Sequence, residues 1–240
     1  MRYPDKKRTY KMTKKDLLEK TEYKFQDLLA IIEILRAPDG CPWDREQTHQ
    51  SIRRELIEES YEVIEGIDSD NPEIMCEELG DLLLQIVFHA SIAKDAGRFD
   101  IDSICDGICK KLIYRHPHVF SDVVAETSEK VLENWDELKK KEKKQKDTAD
   151  VLNSVSHALP SLMRGQKLVK KSGIETDFDK SCDNIGLIVD ELKNAEGDAA
   201  SETLGRLLFE CCKLGQCKKV DLEQALYFKN EAFCAENQKN

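Results

Sequence analysis

Residues 72–96 constrain the fold more than any other stretch of the 240-residue chain. They are predicted to form one long helix. Pro72 suits its first turn, and Gly97 stops it. Leu82-Leu83-Leu84-Gln85-Ile86-Val87-Phe88 makes it apolar nearly all round. Such a helix needs neighbours on most sides, so it belongs at the centre of a bundle. Pro (6) and Gly (11) are sparse, and no segment alternates convincingly as a strand. The fold class expected is all-α, built from helix pairs.

Further helices are predicted at 22–36, from Thr48, as a cap, to about Ile67, at 101–114 and at 127–146. Ala37-Pro38-Asp39-Gly40, Asp68-Ser69-Asp70-Asn71-Pro72 and His116-Pro117-His118 are the breaks between them. In the second half the expected helices are 149–171, 178–195, 199–214 and 221–235. Pro160 and Gly165 are placed to bend or split the first of these. Residues 1–21 are a polar lead-in, 22–146 a first helical domain and 147–240 a second. Ile52, Leu56, Val63 and Ile67 form the expected core stripe of the helix after Thr48.

Two acidic clusters stand out. Glu58-Glu59-Ser60-Tyr61-Glu62 is EExxE, and Glu78-Leu79-Gly80-Asp81 is ExxD. At about 100° per residue, Glu59 and Glu62 flank the core stripe and Glu58 lies further round. On the central helix, Asp81, Gln85 and His89 fall within about 60° of Glu78. Carboxylates beside packed apolar surface raise their pKa or need a compensating charge. A short connection at 68–72 pairs the two helices antiparallel and lets Glu59, Glu62, Glu78 and Asp81 converge. Four hard oxygen donors suit Mg²⁺ or Mn²⁺ rather than zinc. The competing explanation is ordinary surface acids in i,i+4 pairs.

Net charge is −10, which argues against general nucleic-acid binding. Two Lys-rich runs, in residues 1–20 and at Lys139–Lys146, are expected to be solvated. The nine Cys show no zinc spacing, and free thiols fit a reducing cytoplasm. No stretch has the length of a membrane span, and residues 1–20 lack a signal-peptide core.

Gly40-Cys41-Pro42-Trp43-Asp44, Gln47-Thr48-His49, the two acidic clusters and Arg115-His116-Pro117-His118-Val119-Phe120 occur in one order. Together they resemble the MazG family of nucleoside triphosphate pyrophosphohydrolases, strongly over about Phe25 to Lys144. The resemblance implies a dimeric helical core that hydrolyses a nucleoside triphosphate to monophosphate and pyrophosphate, a house-cleaning of the nucleotide pool. It implies Mg²⁺ held by Glu58, Glu59, Glu62, Glu78 and Asp81, with Glu58 or Glu59 orienting or deprotonating the water. It implies that Lys111 and Arg115 contact the triphosphate; four apart on a helix, they can face one pocket. Trp43 and Trp135 are each placed to stack on a base or to anchor packing. His116 and His118 are expected to order their loop. Gln85 and His89 are expected to make supporting hydrogen bonds.

The family's full-length members carry two related helical domains, and the second half here has that outline in damaged form. Asp190-Glu191-Leu192-Lys193-Asn194 aligns with EExxE, and Thr203-Leu204-Gly205-Arg206 with ExxD. Asn194, Thr203 and Arg206 replace three acids. Arg206 is expected to repel a metal ion and to satisfy Asp190 or Glu191 instead. The alternative function is therefore a helical regulatory or interaction protein that keeps the scaffold with little catalysis.

Overall fold

The computed structural model describes residues 12–121, 123, 127–142 and 147–237. Among them there are helices and no strand, so the chain is all-α. It divides into two compact units, residues 1–122 and 123–240. No described helix is long and apolar enough to cross a membrane.

The first unit contains α1 (Lys14–Leu18), α2 (Phe25–Leu35), α3 (Pro42–Glu46), α4 (Arg53–Asp68), α5 (Pro72–Asp95), α6 (Ile101–Arg115) and α7 (Pro117–Phe120). The α4–α5 hairpin is its main pairing, with α2 and α6 laid on α5. The hairpin turn is set locally. Asp70 takes a positive φ of 50°, Asn71 N–H donates to the Gly66 carbonyl at 3.1 Å, and the Asn71 side chain caps the first turn of α5. Pro72 follows at a position that has no hydrogen bond to lose. Leu29, Ile32, Ile52, Val87 and Phe88 form the core, with Leu84, Ile92 and Ile101 packed around it. The core therefore sits at the C-terminal half of α5.

One side of α5 departs from expectation. Ile74, Leu79, Leu83 and Ile86 are exposed, and so is Ile67 of α4, at 56%. Ile52 and Val63 are buried as the core stripe requires. The helices that pack on α5 leave the hairpin with an uncovered apolar side. Thr48 does not cap α4. It exchanges hydrogen bonds with Ser51 in the preceding turn, and α4 opens at Arg53 without a side-chain cap. His116 ends α6 as expected, but Pro117 then starts the short α7.

The second unit contains α8 (Ser128–Glu142), α9 (Thr148–Asn153), α10 (Ser161–Ser172), α11 (Phe178–Leu192), α12 (Gly197–Lys218) and α13 (Leu222–Asn237). Pro160 does split the expected 149–171 helix. Gly165 does not, because it is buried against α12, where an added Cβ would stand 2.7 Å from Cys212 Sγ. The α11–α12 pair, with α10 across α12, is this unit's main pairing.

Candidate metal centre

The site begins with a close approach. A Cβ on Gly66 would stand 2.9 Å from Met75 Cα, so only glycine lets α4 and α5 meet at this point. Glu62 and Glu59 lie one and two turns back along α4 on about the same face. Glu78 lies one turn on from Met75 along α5. The contact thus sets the acidic faces against each other.

One carboxylate oxygen from each of Glu59, Glu78 and Asp81 lies within 4.8 Å of the others. Glu62 is a charged neighbour of both Glu59 and Glu78. Burial pushes the Glu59 carboxyl above its ordinary range, and the nearby Asp81 and Glu62 add to the effect. Glu78 is raised in the same way, first by burial and then by Glu62. These acids are crowded enough to retain protons that isolated acids release. The donors are all oxygens, and a divalent cation would relieve the crowding that raises Glu59 and Glu78, so this set fits a hard cation. Glu58 points elsewhere, into a 2.8 Å ion pair with Arg54.

The remaining expected residues differ in exposure and in partners. Lys111 and Arg115 stand one turn apart on α6, but Lys111 is exposed and Arg115 is 6% exposed. They are not two equivalent solvent-facing cations. Trp43 is 59% exposed on α3, and its carbonyl accepts from Gln47 Nε2 at 2.8 Å. Trp135 lies on α8, half-buried in the second unit. His116 Nδ1 sits 2.6 Å from the Leu112 carbonyl, and the His116 and His118 rings lie 5.6 Å apart, as suits a loop-ordering pair. One relationship was not foreseen: His89 meets His49 across 40 residues of sequence. The helical angle placed His89 near the acids, and nothing in the sequence paired it with the loop.

In the second unit, Arg206 Nη1 is 2.6 Å from Glu191, and Lys193 is 2.6 Å from Asp190. Both acids of the altered cluster therefore face a built-in cation. A groove of about 560 Å³ runs beside them, lined by Glu191, Glu202, Arg206, Phe209 and Glu210. Thr203, in the place of an acid, is buried and bonds the Ala199 carbonyl.

Residues 47–120 match the MazG nucleotide pyrophosphohydrolase domain. This stretch contains the whole acidic cluster. A nucleoside triphosphate pyrophosphohydrolase of Escherichia coli (strain K12) is 40% identical over 86% of this chain and 82% of its own length. The nucleoside triphosphate pyrophosphohydrolase/pyrophosphatase MazG of Thermotoga maritima is 40% identical over 84% of this chain and 79% of its own. The uncharacterized protein YabN of Bacillus subtilis is 38% identical over 88% of this chain, which spans 45% of that longer protein. Fold, site and relatives together define an enzyme class, the all-α hydrolases of nucleotide anhydrides. Within that class, the chain belongs to the MazG family.

Proposed function

We propose that this chain hydrolyses nucleoside triphosphates to nucleoside monophosphate and pyrophosphate with Mg²⁺, for which Mn²⁺ can stand in, and so clears the nucleotide pool. The observation that carries this is the set of oxygens from Glu59, Glu78 and Asp81, all within 4.8 Å. Glu59, Glu62, Glu78 and Asp81 would hold the cation, which supplies charge neutralisation to the triphosphate and acidifies water. Glu59 takes the proton as water attacks and the α–β anhydride breaks. Glu58 is a weaker candidate for that base because Arg54 engages it. Lys111 and Arg115 meet charge on the departing pyrophosphate. Trp43 and Trp135 contact the nucleoside.

The motif order assigns residues 22–146 to the catalytic domain and 147–240 to its degenerate copy. The apolar side left by Ile67, Leu79, Leu83 and Ile86 supports a homodimer. Nine free cysteines support a cytoplasmic setting.

The test is pyrophosphate release from a panel of nucleoside triphosphates with Mg²⁺. Turnover that Glu59→Gln abolishes supports the assignment, and turnover unchanged by Glu59→Gln sinks it. The regulatory alternative draws on the Arg206–Glu191 pair, in which a guanidinium engages an acid of the second cluster. No pyrophosphate from any triphosphate, together with no Mn²⁺ binding, would select that alternative.

A further inference from the structure

His49 Nδ1 and His89 Nδ1 are 2.8 Å apart. The two rings are 17° from parallel and their centroids are 5.1 Å apart. The centroid separation exceeds the nitrogen separation by 5.1 less 2.8, or 2.3 Å. That excess matches the two centre-to-vertex distances of the rings. The nitrogens therefore face each other along the line of ring centres, the direction of an imidazole N–H or lone pair.

One Nδ1 must carry a proton and the other must not. The far side of His89 decides which. His89 Nε2 is shut from solvent and has no hydrogen-bond partner among the described residues. If His89 accepted at Nδ1, its neutral ring would bury an unpaired Nε2–H. Orphaned buried N–H groups are rarer than orphaned acceptors. Burial, followed by the neighbouring His49, holds His89 below the usual imidazole range, which keeps the ring neutral at neutral pH.

The loop that carries His49 is tied together internally. Ser51 Oγ donates to Gln47 Oε1 at 2.7 Å, and Gln47 Nε2 donates to the Trp43 carbonyl at 2.8 Å. Arg36 fastens one end of this segment towards α5, bonding the Asp44 carbonyl and the Asp95 carboxylate, each at 2.7 Å. The histidine contact is the second fastening.

We propose that His89 is the Nδ1–H tautomer, donates to His49 Nδ1, and acts as a positioning residue that seats the 43–51 segment on the helix bearing Glu78 and Asp81. The proposal relies on the pyrophosphohydrolase reading only in taking Trp43 to meet the nucleoside. The tautomer and the seating stand apart from it.

Two measurements on the full chain need no turnover. Nitrogen-resolved NMR of the imidazoles at neutral pH should show His89 protonated at Nδ1 and bare at Nε2, with His49 protonated at Nε2. A proton on His89 Nε2 overturns the assignment. Hydrogen exchange over 43–51 should quicken in His89→Phe, which keeps a ring and loses the donor. It should slow again in His89→Asn, which returns an N–H near the δ position. Unchanged exchange in His89→Phe, or equal loss of protection throughout the first unit, overturns the seating role. With turnover established, His89→Phe should raise KM about three- to tenfold while kcat and Mn²⁺ affinity hold. A fall in kcat at constant KM contradicts positioning. If no triphosphate is hydrolysed, the functional reading fails while NMR and exchange still decide this one.

Discussion

Gly66 of α4 and Met75 of α5 meet backbone to backbone, with 2.9 Å left for a Cβ that glycine does not have. Met75 cannot rotate out of the way, because the atom met is its Cα. Gly66→Ala should therefore wedge the hairpin open. Overpacking costs about 1–3 kcal/mol, and the better helix propensity of alanine returns only about 0.5–1 kcal/mol. A lower melting temperature and weaker Mn²⁺ binding by calorimetry are expected together, since the same contact aligns the acids. Intact Mn²⁺ affinity in a destabilised Gly66→Ala would separate the two effects and refute the alignment.

The raised Glu59 and Glu78 carboxyls give a pH dependence with a definite sign. Each ordinarily titrates near 4.5 and is held higher in the folded chain. The folded state therefore binds more protons than the unfolded one just above that value. Their contribution is full below about 4.5 and is lost as pH rises through the raised folded values. In chelator the first unit should lose stability over that rise. Divalent cation should reverse the loss and release protons on binding. Calorimetry in two buffers of different ionisation enthalpy counts those protons; an equal heat in both contradicts the raised carboxyls.

Asp81→Asn removes a ligand and a repulsion at once. Pyrophosphate release should fall by about 10²–10³ or more, and the chelated protein should become more stable because Glu59 loses a like-charged neighbour. Thermal denaturation in chelator reads the second effect. Destabilisation by Asp81→Asn in chelator would mean that the acids are held by something other than a missing cation.

Leu83 lies on the exposed apolar side of α5, 36% exposed, with Leu79, 46% exposed, one turn before it. Leu83→Glu should shift sedimentation from dimer to monomer while helical content is kept. A dimer that survives Leu79→Glu/Leu83→Glu would place the subunit contact elsewhere.

Much of this architecture was legible because the signals are local. Asn71, Pro72 and Gly97 bound α5 through capping and backbone chemistry that one turn of sequence contains. Helical angles sufficed to bring Glu59, Glu78 and Asp81 together, because a hairpin with a short turn fixes the register of its two helices. The Arg206–Glu191 pair followed from the same register. Contacts set by tertiary packing were not legible. Nothing near His49 points to His89, and the burial of Arg115 beside an exposed Lys111 depends on how α6 lies on α5. The exposure of Ile67 was missed because periodicity identifies an apolar face without saying which chain covers it.

A metal ion comes and goes with the composition of its surroundings, and a guanidinium does not. With the proposed cation removed, the α4–α5 acids would keep their mutual repulsion, whereas Glu191 keeps its counter-charge on the same chain. Chelation should therefore alter the stability of the α4–α5 hairpin and leave the Arg206–Glu191 pair unchanged.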